Sequence, residues 1–186
     1  LMVGSCFGEF TTHYVYFDKD EITAEELDKI LDEYYGDKKE EVIEEFKKAY
    51  PEKNMADVLA LDLMFRVPSK RLIESFAEAG GTIYSYLFAL EFPYQHGKTA
   101  YHCADIPFVF HNTELVPVAN IEGISERLEH QMFEAVIQFA RTGNPNHGDI
   151  PEWKSCSKGK EEIMIFDKKC EVKTNHDHKL LDLQKT

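Results

Sequence analysis

The stretch from Tyr101 to Phe110 places a histidine, His102, at the start of a short polar loop and directly before an apolar run. A histidine needed only for packing more often lies inside such a run than ahead of it. Catalytic side chains are commonly held in loops on well-anchored elements. We therefore interpret His102 as a candidate general base, with a hydrogen-bonded structural histidine as the alternative.

A base of this kind activates a hydroxyl nucleophile, and the histidine in turn needs a carboxylate that holds its tautomer. Glu9 is the candidate for this carboxylate. It lies in the loop after a strand predicted at residues 1–5, and His102 lies in the loop after a strand predicted at residues 82–89. Loops at the carboxyl ends of neighbouring strands meet at one edge of an α/β sheet. The alternative for Glu9 is an ordinary surface glutamate. Asp105, also within reach of His102, is interpreted as structural.

The nucleophile is missing from these residues. The strained serine turn G-x-S-x-G occurs nowhere in the 186 residues. Ser125 follows Gly123 in half of that pattern and is better interpreted as the N-cap of the next helix. Cys103 adjoins His102, but adjacent side chains of an extended segment point to opposite sides, so we predict a packed thiol there.

Charge and composition exclude several classes of function. The net charge of −13 argues against binding to nucleic acid or to anionic membranes, and we interpret the 14 acidic and 7 basic residues between Asp18 and Asn54 as a solvated helical face. No apolar run approaches the roughly 18 residues of a membrane span, and no secretory signal is visible.

The cysteines lack C-x-x-C spacing, which argues against zinc. Cys156 and Cys170 could pair in an exported protein, but we favour free thiols in a reducing compartment.

The hydrophobic pattern predicts an α/β chain with flanking helices around two or more sheet strands. Strands are predicted at residues 1–5, 82–89 and 162–166, and helices at 23–36, 38–50, 54–65, 125–141 and 180–183. Thr23 and Glu26 predict a capping box at the start of the first helix, and Gly143 predicts the end of the helix at 125–141. Pro68 either interrupts the third helix or begins another that reaches Ala79. Asp62 and Arg66, four positions apart, are predicted to form a helical ion pair. Because residue 1 already belongs to an apolar strand, we expect the true chain to start upstream.

The chain resembles the C-terminal portion of a type-B carboxylesterase, the group that contains bacterial para-nitrobenzyl esterases and cholinesterases. The residues that carry the resemblance, in family order, are Met2–Glu9, Asp62–Pro68, Tyr84–Phe88, His102–Phe110, Phe139–Asn146 and Trp153. The resemblance implies an α/β-hydrolase fold in which residues 1–186 form the C-terminal segment of a single domain. It also implies a triad in the order serine, glutamate, histidine.

Within that family pattern, the acid falls on Glu9 and the base on His102, while the serine and the oxyanion hole lie in an N-terminal half that this sequence lacks. The implied substrate is a small carboxylic ester, the implied partner is the N-terminal part of the same protein, and no metal or organic cofactor is expected. A bacterial cytoplasmic location is favoured over secretion. Thr12 and His13 fall where related enzymes place pocket-lining aromatic residues, which predicts a smaller and more polar wall.

The sequence departs from the family in one place that bears on the site. The family's acid commonly stands between Asp and Gly, whereas Gly8 and Phe10 flank Glu9 here. A catalytically silent relative that serves as a binding or adhesion domain is the alternative function, although retention of both Glu9 and His102 argues against it. A self-contained helical domain would leave an apolar sheet edge exposed and ranks last.

Overall fold

The computed structural model describes residues 1–10, 19, 21–94 and 97–184. This part of the chain contains one sheet with the strand order β1-β2-β3-β4. The strands are β1 (Met2–Cys6), β2 (Tyr84–Phe88), β3 (Glu162–Phe166) and β4 (Glu171–Thr174). The first three strands run parallel, and β4 is antiparallel to β3.

Six α-helices accompany the sheet and confirm the α/β class predicted from the sequence. They are α1 (Ala24–Tyr35), α2 (Lys39–Ala49), α3 (Arg66–Glu78), α4 (Ile106–Val109), α5 (Ser125–Thr142) and α6 (His178–Leu183), all within the described ranges. Short 3₁₀ turns lie at Gly36–Lys38, Met55–Ala60 and Thr113–Leu115.

Helix α1 begins and ends where its sequence predicts. The side chain of Thr23 accepts from the backbone N–H of Glu26, and the Glu26 carboxylate accepts from the backbone N–H of Thr23, which together form a capping box. Gly36 ends the helix with a φ of 51°, a conformation in which a residue without a Cβ is least strained. Leu31 is the buried residue of this helix.

The helix predicted at residues 54–65 is wrong. Asn54 caps a 3₁₀ turn by accepting from the backbone N–H of Ala56, and Leu61 is already extended. The carboxylate of Asp62 then accepts backbone N–H groups from Met64 to Arg66, so it starts α3 instead of continuing an earlier helix. The predicted ion pair between Asp62 and Arg66 is therefore also wrong.

Ser125 is likewise not the N-cap of α5, because that position belongs to Ile124. The Ser125 hydroxyl instead donates to the carbonyl of Ala119 and accepts from the N–H of Ile121. Gly143 ends α5 in the left-handed conformation, as the sequence predicts.

One core cluster connects the sheet with the helices. Among its buried residues are Phe7, Phe46, Phe88, Phe108 and Trp153. Strand β1 pairs with β2 in the register Met2↔Tyr84 to Cys6↔Phe88, and its other edge has no partner strand in the described part of the chain. The sheet therefore presents an open edge on the β1 side.

Two predictions on the whole chain can also be compared with the structure. Within the described ranges, no helix is both long enough and apolar enough to cross a membrane. All four cysteines are free thiols, so Cys156 and Cys170 do not pair.

Candidate active site

Glu9 and His102 meet just beyond the carboxyl ends of the parallel strands. The Nδ1 atom of His102 lies 2.6 Å from Oε2 of Glu9, although 93 positions separate the two residues. The backbone N–H of His102 also donates to the carbonyl of Glu9 at 3.1 Å, and Glu9 forms a parallel bridge with Tyr101. The structure therefore brings together the two residues selected from the sequence.

The turn after β1 holds the Glu9 carboxylate in place. Its Oε1 atom accepts from the backbone N–H of Cys6 at 2.6 Å, so each carboxylate oxygen has its own donor. Glu9 is buried and has a φ of 35°, an uncommon value for a residue with a Cβ. Gly8 allows the turn to lie close to the next loop, because a Cβ there would meet the Ala100 carbonyl at 2.9 Å.

The loop that carries His102 is attached to β2 through Asp105. The hydroxyl of Tyr86 donates to the Asp105 carboxylate at 3.0 Å. The ring of Tyr86 lies over Gly4 in β1, where a side chain would not fit. Asp105 thus contacts Tyr86, which fits the structural role predicted for it.

Cys103 is exposed, so the prediction of a packed thiol is wrong. Its φ of 67° turns the chain directly after His102 and directs the thiol to the surface. Thr12 and His13, the predicted pocket residues, lie outside the described residues.

The thiol of Cys6 is close to the pair but is not a nucleophile. Burial raises the pKa of this thiol far above its ordinary value, and the nearby carboxylates of Asp105 and Glu9 raise it further. The thiolate is the reactive form of cysteine, so Cys6 stays inert at neutral pH.

Among the described residues, the rings of two aromatic side chains pack against His102, and neither could be given this role from the sequence. The rings of Phe10 and Phe65 lie 4.0 Å and 5.7 Å from the imidazole, measured between centroids. Phe10 directly follows Glu9, and Phe65 belongs to the run Asp62–Pro68 that carries part of the resemblance. These positions mark both phenylalanines as close to residues of interest. Their contact with the ring of His102 cannot be predicted from sequence spacing, because the three residues are far apart in the chain.

A buried ionic cluster fixes the start of α3 and with it Phe65. The guanidinium of Arg66 contacts the carboxylates of Glu161 at 2.7 Å and of Asp177 at 2.6 Å. His178 Nε2 lies 2.6 Å from the same Glu161 carboxylate, and the Tyr50 hydroxyl donates to Asp177 at 3.1 Å.

The pKa of Glu161 reflects its position in this cluster. Burial alone would raise the pKa of its carboxyl group. The hydrogen bond with His178 and the charge of Arg66 outweigh burial and hold that pKa well below its ordinary value. Glu161 is therefore ionised in the folded protein.

The geometry suits the chemistry of a general base. With Glu9 ionised, Nδ1 of His102 carries the proton that it donates to Glu9, and Nε2 remains the basic nitrogen. The His102 side chain is 42% exposed, whereas that of Glu9 is 7% exposed. In the described part of the chain no serine hydroxyl contacts this imidazole. The pair can accept a proton from a group that approaches from outside these residues.

One large cavity in the described part of the chain lies away from this pair. A cavity of about 530 Å³ lies between the end of α2 and the turn from β3 to β4. Among the residues that line it are Tyr50, Lys53, Asp167 and His176. Its walls contain neither Glu9 nor His102, so it does not serve the chemistry of the pair.

Residues 7–183 match the model of the carboxylesterase family. Among curated proteins, carboxylesterase 4A of Bos taurus is 26% identical over 148 residues, which cover 77% of this chain and 26% of the relative. A solved structure, described as an esterase from anaerobic Clostridium hathewayi that can hydrolyse aliphatic aromatic polyesters, is 54% identical with a TM-score of 0.93. That alignment covers 98% of this chain and 36% of the other.

More distant structures share the fold. The carboxylesterase EST55 of Geobacillus stearothermophilus is 24% identical with a TM-score of 0.67 and coverage of 99% of this chain and 40% of its own. These neighbours have the α/β-hydrolase fold, which this chain shares. The chain spans between 26% and 40% of the length of the relatives named here.

Proposed function

The chain belongs to the carboxylesterase family, and we propose that it supplies the base and the acid of a serine carboxylester hydrolase. The observation that carries the proposal is the 2.6 Å contact between His102 Nδ1 and Glu9 Oε2 at the carboxyl edge of the sheet. This contact provides an oriented imidazole with one free nitrogen, which a hydroxyl nucleophile requires.

In the first step, a serine oxygen attacks the ester carbonyl carbon while Nε2 of His102 accepts the serine proton. The tetrahedral intermediate collapses to an acyl-enzyme, and His102 donates that proton to the leaving alcohol. Water then repeats the sequence on the acyl-enzyme: His102 takes a proton from it and returns the proton to the serine as the carboxylic acid leaves. Glu9 stays ionised and stabilises the imidazolium throughout. None of these steps requires a metal or an organic cofactor.

The serine and the oxyanion donors of this mechanism belong to an N-terminal part of the same protein. Two observations support this partner. The edge of β1 has no neighbouring strand in the described ranges, and the chain covers only 36% of the Clostridium esterase. An N-terminal half that adds its strands beside β1 would complete the sheet and place a serine near His102.

The substrate class is a small carboxylic ester. The Clostridium relative is described as acting on aliphatic aromatic polyesters, so such polymers are a second substrate to test. The free thiols support a further proposal, that the protein works in the reducing bacterial cytoplasm.

The experiment is to produce the complete protein and measure hydrolysis of a short-chain nitrophenyl ester, followed by labelling with a fluorophosphonate. Turnover with one phosphonyl group on a serine upstream of this chain is the expected result. If the complete protein showed no turnover and no label, the proposal would be contradicted and a silent binding domain would be favoured. The complete protein with His102→Ala is the control, and it should lose turnover while keeping its thermal unfolding temperature.

A further inference from the structure

We propose that Phe10 and Phe65 are positioning residues that hold the imidazole of His102 in its orientation on Glu9. The inference rests on the proposed function and adds two residues to that same site. A phenyl side chain can neither transfer a proton nor hydrogen-bond to Glu9, so both residues would act on the reaction through the ring of His102.

The three rings contact one another in a closed triangle. Phe10 lies 4.0 Å from His102 with an angle of 31° between the ring planes, and Phe65 lies 5.7 Å from His102 with an angle of 14°. The centroids of Phe10 and Phe65 are 5.8 Å apart. The short first distance puts Phe10 on a face of the imidazole, and the second puts Phe65 in an offset position beside it.

The hydrogen bond to Glu9 does not by itself fix the plane of the imidazole. It holds Nδ1 at one point, about which the ring can still turn. The side chain of His102 is 42% exposed, so the other described residues provide little restraint. Contacts on one face and one flank restrict the rotation and keep Nε2 directed towards the position of the nucleophile. Small errors in such positions are costly for catalysis.

Two independent elements deliver the two phenylalanines to the same ring. The positive φ of Glu9 turns the chain so that consecutive residues, Glu9 and Phe10, both reach the imidazole. Phe65 stands at the start of α3, where its backbone N–H donates to the Asp62 carboxylate at 3.1 Å. The next residue, Arg66, is anchored in the buried ionic cluster.

Neither phenylalanine serves the hydrophobic core. Phe10 is 44% exposed and Phe65 is 37% exposed. Within this chain, shortening either side chain leaves no buried cavity, so its effect on stability should be small, and thermal unfolding of each variant of the complete protein checks this. A loss of activity in such variants would therefore report on the site and not on unfolding.

The test compares leucine and tyrosine at both positions in the complete protein. Phe10→Leu and Phe65→Leu keep an apolar side chain but remove the flat ring, whereas Phe10→Tyr and Phe65→Tyr retain it. The leucine variants should lower kcat for a short-chain nitrophenyl ester by about tenfold, with KM changed by less than about twofold. The tyrosine variants should stay near wild type. Leu72→Ala, at an exposed leucine of α3, is the matched control and should change nothing.

Leucine variants with the kcat of wild type would overturn the inference. A higher KM at unchanged kcat would also overturn it, because that result indicates a lost substrate contact and not a misplaced base. If the wild-type complete protein hydrolyses no ester, the proposed function fails, and the NMR signal of the His102 Nδ1–H proton decides the inference. If the signal is lost in the leucine variants but kept in wild type and in the tyrosine variants, the two phenylalanines position the imidazole. If it persists in all variants, the inference is contradicted.

Discussion

Glu9 directs its two carboxylate oxygens to different donors. Oε1 accepts from the backbone N–H of Cys6, and Oε2 contacts the imidazole of His102. The first contact orients the carboxylate independently of His102, so the histidine contacts an acceptor that the backbone of β1 also holds. This division explains how a glutamate in a turn with a positive φ can hold one tautomer of His102.

We expect Glu9→Gln to reduce the kcat of the complete protein by about 10³-fold to 10⁴-fold. The glutamine amide can donate to Nδ1 and favour the tautomer in which Nε2 is protonated and no longer basic. Serine and histidine persist, so some activity should remain above that of His102→Ala. The measurement is kcat/KM for a short-chain nitrophenyl ester.

Glu52→Gln, at an exposed glutamate, is the control for the change of charge and should behave as wild type. If Glu9→Gln kept the kcat/KM of wild type, the acid would have to be another residue.

The pairing of Glu9 with His102 could be predicted because it needs little beyond strand order. Both follow parallel strands, and the resemblance points to the same two residues. The packing of Phe10 and Phe65 on His102 could not be predicted, because it depends on the angle at which α3 begins. The surface position of Cys103 follows from a positive φ that its sequence does not announce.

Helix α3 is fixed at its first turn by charges that the core encloses. Arg66 is 2% exposed, and its partners Glu161 and Asp177 come from the start of β3 and the start of α6. One side chain thus connects three elements that are far apart in sequence. The same turn presents Phe65 to His102, so the cluster links the stability of the core to the site.

We expect Arg66→Met to lower the free energy of unfolding by about 3–5 kcal/mol, because two carboxylates would remain buried without their cation. Lys48→Met is the control, since Lys48 pairs with Glu44 and Glu45 on an exposed face of α2 and should have no measurable effect. Urea unfolding of the complete protein gives both values. Equal stability of Arg66→Met and wild type would show that the cluster contributes nothing.

His176 should make the fold sensitive to acid. Burial lowers the pKa of His176 to about 4, and within the described residues its Nε2 has no hydrogen-bond partner. The unfolded imidazole binds a proton below a pH of about 6.5, whereas the folded one stays neutral until the pH approaches 4. The stability that the neutral, buried His176 allows is therefore fully present above a pH of about 6.5. It is lost as the pH falls towards 4.

The measurement is urea unfolding of wild type and His176→Phe between pH 7 and pH 4.5. Wild type should lose about 2 kcal/mol more than His176→Phe over this range. His130→Gln, at a half-exposed histidine, should follow wild type. Parallel curves for wild type and His176→Phe would contradict the assignment.

Elements with strong local signals could be predicted, and those decided by tertiary contacts could not. The capping box of Thr23 and the glycine end of α5 are local and were found. The segment before α3 has helical periodicity, but Asn54 and Asp62 take up the backbone N–H groups on either side of a 3₁₀ turn. Strand β4 was missed because Glu171–Thr174 is short and polar, as edge strands often are.

The whole chain resembles one side of a larger sheet. Strands β2 and β3 have neighbours on both sides, whereas β1 is paired only with β2 in the described ranges. Glu9 follows β1, the strand at this open edge, and meets His102 beyond the carboxyl ends of the strands. We therefore expect that the N-terminal half adds a strand to β1 and that catalysis requires both parts.

The most direct measurement is the rate of short-chain nitrophenyl ester hydrolysis by the N-terminal half combined with this chain, either intact or carrying His102→Ala. The intact combination should turn over. The chain alone should not, and His102→Ala should lower kcat by about 10⁴-fold or more without changing thermal unfolding. Turnover by the His102→Ala combination at the rate of the intact one would contradict the assignment of His102 as the base of the reaction.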